Sequence, residues 1–160
     1  MPPGDEAMTH TDADFEQLSW HDCHLWGMAF RAGDANDLVS QLVLDIDFIL
    51  EWMCGVDGKP AQFRVAPATL VFDDVTDLRI HVDWGATGFP VSVNPASIAS
   101  IEREIVPDRI VYPGRPYYSW QIRFNWPQGA EIVFRSVGFT QTLRAEPVVS
   151  ETQHLSLRQR

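Results

Sequence analysis

Residues 42–52 read LVLDIDFILEW and residues 78–84 read LRIHVDW, and both runs alternate apolar with charged side chains. Between them, residues 63–72 read FRVAPATLVF and form a third candidate strand. Successive side chains of a β-strand point to opposite faces, so each alternating run has one apolar and one charged face. The sequence therefore predicts a sheet with a core on one side and water, or a partner, on the other.

The rest of the chain continues this pattern in short segments joined by turns. Further candidate strands are Cys23–Arg31, Ile98–Val106, Tyr118–Trp126, Glu131–Arg135 and Phe139–Arg144. Turn-forming residues separate them, as at residues 33–37 and 127–129. No helical pattern of the length that an α/β fold needs lies between the strands. We therefore predict an all-β protein, an antiparallel β-sandwich or β-roll of about eight strands.

The length of 160 residues and a hydrophobic content of 45% suit one domain with a proper core. Residues 1–14 have little to bury and are predicted to be a disordered leader. Residues 15–148 form the predicted β domain. Residues 149–160 are predicted to be a short C-terminal helix or tail, because SETQ at residues 150–153 matches a capping box. Pro67 predicts that the strand at residues 63–72 is an edge strand or carries a bulge.

The net charge of −10 limits the classes of partner. It argues against nucleic acid, which needs clustered Lys and Arg, and favours a basic protein surface; the alternative is that the charge serves solubility alone. Cys23 and Cys54 match no metal or redox spacing, and no cofactor is expected. Neither a signal-peptide pattern nor a membrane-length apolar run occurs, so we expect a cytoplasmic protein with no membrane partner and with reduced thiols.

The first candidate site is an acidic sheet face that binds a basic partner. Asp45, Asp47 and Glu51 lie between the apolar positions of one strand. Asp77 and Asp83 join this face if the strand at residues 78–84 is a neighbour. The alternative is a ladder of cross-strand salt bridges on a solvated face.

The second candidate is a ligand site at His21, Asp22 and His24, with Trp20 beside it. Imidazole and carboxylate groups are zinc ligands, and Cys23 adds a thiol. Adjacent residues of an extended chain point apart, however, so a site forms only if the backbone turns there. The alternative is a polar entry into the first strand. An exposed Trp20 would favour the site.

The tryptophans offer a third reading, a stacking platform for sugars. Trp52, Trp84, Trp120 and Trp126, however, fall on the apolar phases of their strands. Core packing is therefore the prediction for these four residues.

Three segments carry a resemblance to a known family. They are LSWHD at residues 18–22, APATL at residues 66–70 continuing through VTDLR at residues 75–79, and GFTQ at residues 138–141. They resemble a small bacterial family of uncharacterised β-rich proteins, over most of the chain from Leu18 onward. The resemblance implies a β-rich fold and carries over no functional residue. Some small acidic β-rich proteins of this type are immunity proteins of bacterial toxin systems, and that similarity of style implies a protein partner.

The sequence thus favours a non-enzymatic binding protein whose acidic face meets a basic protein, in the manner of an immunity protein. One alternative is an enzyme or metal-binding protein with its site around His21, Asp22 and His24. The other is a soluble domain with no ligand. The enzyme reading ranks lower because the sequence has neither a phosphate-binding loop nor a nucleophile elbow.

Overall fold

The computed structural model of the chain describes residues 7–32, 40–107 and 115–160. Most of these residues lie in ten β-strands: β1 (Thr9–Thr11), β2 (His24–Ala32), β3 (Ser40–Met53), β4 (Gln62–Asp73), β5 (Thr76–His81), β6 (Ala96–Ile105), β7 (Tyr118–Trp126), β8 (Glu131–Ser136), β9 (Gly138–Leu143) and β10 (Val148–Ser150). A short 3-10 helix spans Asp12–Gln17. The all-β prediction is confirmed.

The strands form one open antiparallel sheet in the order β1-β9-β4-β3-β2-β6-β7-β8-β5, with β10 also paired to β4. β2 pairs with β3 along its length but with β6 only at His24 and Leu25. The sheet folds on itself at this short junction. Phe72 of β4 thereby meets β7 and β8, with ring centroids 5.1 Å from Trp120 and 4.7 Å from Phe134.

The core lies between the two halves of the folded sheet. In β3 the alternating residues Leu42, Leu44 and Ile46 are fully buried, and Trp120 of β7 is the largest fully buried side chain. Burial of one large apolar side chain stabilises a fold by about 1.5–3 kcal/mol, which explains why alternating runs decide the architecture.

Pro67 predicted that β4 is an edge strand or carries a bulge; β4 is not an edge strand, and the bulge in its pairing with β3 lies in β3. It lies between β3 on one side and β9 and β10 on the other. Pro67 faces Asp47 of β3, and its carbonyl accepts the Arg144 N–H (2.8 Å) on the opposite side. The missing N–H of Pro67 points the same way, into the gap where pairing with β9 ends at Ala68 and pairing with β10 begins at Val65. No strand in the described part of the chain requires that hydrogen, so the proline is accommodated.

Three of the four tryptophans predicted for the core are not fully buried. In β3, Leu50 is an extra residue at a β-bulge. An inserted residue reverses the alternation of faces beyond it, and Trp52 is consequently 48% exposed. Trp84, beyond β5, and Trp126 are half-buried, while Trp120 is fully buried as predicted.

The two predicted tails are largely built into the fold. Residues 1–6 of the leader lie outside the described residues, as does the predicted turn at residues 33–37. Residues 7–14 instead enter β1 and the 3-10 helix, where Asp12 accepts the Phe139 N–H (2.9 Å). Of the predicted C-terminal helix or tail, the helix is not confirmed, since residues 151–160 contain only bends and turns. Residues 148–150 form β10, and the Ser150 hydroxyl accepts the Thr152 N–H (3.1 Å), a local bond that competes with a helix.

Candidate functional site

The acidic residues proposed for one face do not come together. Asp45 and Asp47 lie in β3, whereas Asp77 lies in β5, at the far end of the sheet order. Asp77 lies 3.9 Å from the Arg135 guanidinium, and Asp83 accepts the Gly85 N–H (2.7 Å) beyond β5. Asp77 and Asp83 were expected on this face only if the strand at residues 78–84 neighboured β3, and that condition is not met because β5 pairs with β8. Glu51 is exposed beyond the bulge of β3.

Asp47 is a fully buried carboxylate. Its Oδ2 accepts the Trp26 indole N–H and the Leu155 backbone N–H, both at 2.8 Å. Its Oδ1 accepts a hydrogen bond from the Arg160 guanidinium. Buried carboxylates are stable only when such donors replace water, so Asp47 is held by the chain itself.

Asp45, two residues earlier on the same face, is half-exposed. It forms a 2.6 Å ion pair with Arg144 and a second ion pair with Arg160. The Arg160 guanidinium also lies over the Trp26 ring, 4.7 Å from its centroid. We call Asp45, Asp47 and Trp26 the guanidinium site, because they surround this one group.

Residues 151–160, here called the strap, lie across the face of the sheet that carries Asp47. The Gln153 amide donates to Asp22 (2.8 Å), and the His154 ring lies against the His24 ring with centroids 4.7 Å apart. The Leu155 side chain is buried in the core cluster. Arg160 ends the strap in the guanidinium site.

The residues of the second candidate site, Trp20, His21, Asp22 and His24, do not converge on one site. Trp20 is buried, and its indole N–H donates to Gln141 (2.7 Å). His21 is exposed, donates from Nδ1 to the Ala99 carbonyl (3.1 Å), and stacks on Trp52 with centroids 6.0 Å apart. The buried Trp20 therefore removes the observation that would have favoured a ligand site there.

The backbone does turn at Asp22, with φ of 62°, but its carboxylate is engaged by Asn125 (2.7 Å) and Gln153 (2.8 Å). Burial, followed by repulsion from His154, lowers the pKa of His24, and its buried Nδ1 has no hydrogen-bond partner among the described residues. Across residues 7–32, 40–107 and 115–160, no three His, Cys, Asp or Glu side chains converge as metal ligands.

A cysteine nucleophile is also disfavoured. Cys23 is fully buried, and its Sγ accepts the Ile49 N–H (3.4 Å). Burial raises the pKa of the Cys23 thiol to about 12, so the thiolate that nucleophilic chemistry requires is not formed near neutral pH.

One strand of the sheet has a free edge that the sequence did not predict. Beyond Leu25, no described strand pairs with β2 on the side opposite β3, so residues 27–32 present one open edge, here called the β2 edge. Met28 and Phe30 on this strand are exposed. A hint was present in the sequence. The segment HLWGMAFRA at residues 24–32 does not alternate apolar and polar side chains, as a strand with one solvent-exposed face would.

An apolar cleft of about 360 Å³ lies beside the start of the β2 edge. Its walls are Trp26 and Met28 from β2, and Val82, Trp84 and Val93 from the connection between β5 and β6. The Asn94 side-chain Oδ1 accepts both the Trp84 and Trp126 indole N–H groups, at 3.0 and 2.9 Å, which fixes the position of Trp84 in the cleft wall. The volume is in the range of ligand sites, although the cleft is open to solvent.

Comparison of the chain with family models, with curated proteins and with solved structures finds no match. In the described part of the chain, no helix is long and apolar enough to cross a membrane.

Proposed function

We propose that this protein is a non-enzymatic binding protein that takes up an extended, basic segment of a protein partner along the β2 edge. The single observation that carries the proposal is the open edge of residues 27–32, which adjoins the apolar cleft. An exposed strand edge offers a row of backbone donors and acceptors, and an added strand satisfies them.

The side chains beside this edge support the same interpretation. Phe30 is 64% exposed, and Met28 is exposed at the mouth of the cleft. In strand addition, the backbone hydrogen bonds supply affinity while pockets for alternate side chains supply specificity. The cleft between Trp26 and Trp84 is a pocket of this kind.

The charge of the molecule supports a basic partner. The net charge of −10 attracts cationic segments and accelerates their association, and salt weakens this effect. The acidic face first considered for this role is engaged in part by Arg144 and Arg160, because both pair with Asp45 and Arg160 also pairs with Asp47. The proposed contact surface is therefore the β2 edge rather than that face.

The enzyme alternative has less support, because the reactive side chains are held in structural contacts. Asp22 and Asp47 accept hydrogen bonds from their neighbours, and Cys23 is a buried thiol. Cys23 and Cys54 are both free, which fits a reducing compartment and supports a cytoplasmic location as part of the proposal.

The test uses short peptides in which apolar residues alternate with Lys or Arg, and the same peptides with Glu in place of the cations. We expect the cationic peptides to bind and to shift the backbone amide resonances of residues 27–32. Phe30→Lys should weaken binding about tenfold, because it removes an apolar contact and adds a like charge, a loss of about 1.4 kcal/mol.

Ile105→Lys is the matched control, because Ile105 is also 64% exposed but lies in β6. It should leave the affinity unchanged. Equal loss in the two variants, or resonance shifts confined to other strands, would contradict the proposal.

A further inference from the structure

The guanidinium site has the features of an arginine-binding site rather than of a single surface ion pair. Two different nitrogens of Arg160 bond to two different carboxylates, Asp47 and Asp45, while the flat group lies over the Trp26 ring. A planar fork with several donors fits this arrangement better than the compact ammonium of a lysine, which has neither the fork nor a flat face to stack on the ring. The geometry therefore selects guanidinium over ammonium.

The site is also preorganised by groups that do not belong to Arg160. The Trp26 indole N–H and the Leu155 N–H both hold Asp47 Oδ2, which leaves Oδ1 for the guanidinium. Arg144 holds Asp45 and is itself fixed by the Ala68 carbonyl (2.9 Å) and by Thr69 (3.0 Å). A site whose acceptors are fixed in advance loses little entropy when it binds.

Arg160 reaches the site from an exposed part of the strap. Residues 156–159 are exposed, and two hydrogen bonds join Ser156 and Gln159 within the same turn. Leu155, in contrast, is anchored by its own buried side chain and by its N–H. Arg160 can therefore leave the site without removing Leu155 from the core.

Trp26 connects this site to the apolar cleft. Its ring stacks on Arg160, and the same residue forms a wall of the cleft beside the β2 edge. A basic segment added to that edge therefore brings its cationic side chains close to the guanidinium site.

We propose that Asp45, Asp47 and Trp26 bind an arginine side chain of the partner segment, in exchange for Arg160, which occupies the site intramolecularly. The identity of the partner rests on the proposed function, whereas the binding site is testable without it. A tethered group competes at an effective concentration of about millimolar, so removal of Arg160 increases the affinity for an arginine supplied by another molecule.

The test uses Arg160→Ala with ethylguanidinium as the probe and ethylammonium as the matched cation. The readout is the Trp26 indole N–H resonance, which reports on the bond to Asp47. We expect ethylguanidinium to bind about tenfold more tightly than ethylammonium, because it gains one further charge-assisted hydrogen bond. Equal binding of the two cations would overturn the proposal.

Two variants serve as controls. Asp45→Asn in the Arg160→Ala background should abolish the preference for ethylguanidinium, and a retained preference would place the binding elsewhere. Arg158→Ala removes an exposed strap arginine and should resemble the unchanged protein, with the site still filled by Arg160. If Arg160→Ala does not fold, Arg160→Lys keeps the charge without the fork and is tested in its place.

A second arm separates this proposal from the proposed function. Peptides with one Arg should bind Arg160→Ala at least about tenfold more tightly than the unchanged protein, and more tightly than the same peptides with Lys. Equal affinity would overturn the exchange. If Phe30→Lys leaves this binding intact while Asp45→Asn removes it, the β2 edge is not the contact surface, but the guanidinium site stands.

Discussion

Asp45 and Asp47 are the same residue type on the same face of one strand, yet their surroundings differ. Asp47 is fully buried, whereas the Asp45 side chain is 44% exposed. The burial of a carboxylate determines how much stability is lost when it is removed, because a buried partner left behind cannot form hydrogen bonds with water instead. The two residues therefore provide a comparison within one site.

We predict that Asp47→Ala lowers the free energy of unfolding by about 3–5 kcal/mol, because it leaves buried donors from Trp26 and Leu155 without an acceptor. Asp45→Ala should lower it by less than about 1 kcal/mol, because water can replace an exposed ion pair. Urea denaturation of the two variants measures both values. Similar losses would show that the buried carboxylate is not the stabilising member of the pair.

At the scale of residues, the sequence predicted part of this site. Alternation placed Asp45 and Asp47 on the face opposite Leu44 and Ile46, and the structure agrees. It did not reveal Arg160 as their counter-ion, because the contact joins residues far apart in the chain and no local pattern records it. Trp26 was missed as a contributor for the same reason.

The strap is the element whose stability we expect to depend on pH. Its His154 lies against His24, whose pKa is lowered by burial and by His154, although Asp22 and Asp47 act in the opposite direction. Arg160 adds positive charge near Asp47. A lowered pKa means that the unfolded chain binds the proton more tightly than the folded one.

The sign of the pH effect follows from this difference. The contribution of neutral His24 is complete above the unfolded pKa, about 6.5, and declines as the pH falls through the lower folded pKa. We predict a lower urea midpoint at pH 5.5 than at pH 7.5, and a smaller difference in His24→Gln. An unchanged difference in that variant would assign the pH dependence to other groups.

Strands were the elements that the sequence predicted best, and their neighbours were predicted least well. The alternating runs at residues 42–52 and 118–126 became β3 and β7. Three features were not predicted: the bulge at Leu50, the central place of β4 and the distance of β5 from β3. All three depend on which strands pair, and pairing is determined by contacts between distant parts of the chain. A short helix or tail was predicted for residues 149–160, and the helix is not confirmed because Leu155 is fixed by tertiary contacts that override a capping pattern.

At the scale of the whole molecule, the two halves of the sheet share one core although β2 and β6 are joined through only two paired positions. Phe72 from one half packs on Trp120 and Phe134 from the other. We predict that the halves unfold in a single transition, because neither keeps its apolar face covered alone. Unfolding followed by tryptophan fluorescence and by far-ultraviolet circular dichroism should coincide, and two separate midpoints would contradict this.

The fold class could be predicted from the sequence because the alternation of apolar side chains recurs in many segments, and each of them predicts a β-strand. The proposed contact surface does not follow, because an open edge is a property of the assembled sheet. The sequence of residues 27–32 does not predict that β2 pairs with β6 only at His24 and Leu25. The strand order was needed to show that exposed apolar side chains lie beside an open edge of this acidic protein.

The pairing of β4 also determines the order in which the chain can be completed during synthesis. β3 and β4 are close in sequence and make the longest pairing of the sheet, so this hairpin is available early. The other edge of β4 waits for β9 and β10, and β1 waits for β9, because these partners are translated after β4. A ribosome carrying the nascent chain therefore holds an incomplete sheet with an uncovered β4, a state in which a holdase chaperone has a surface to bind.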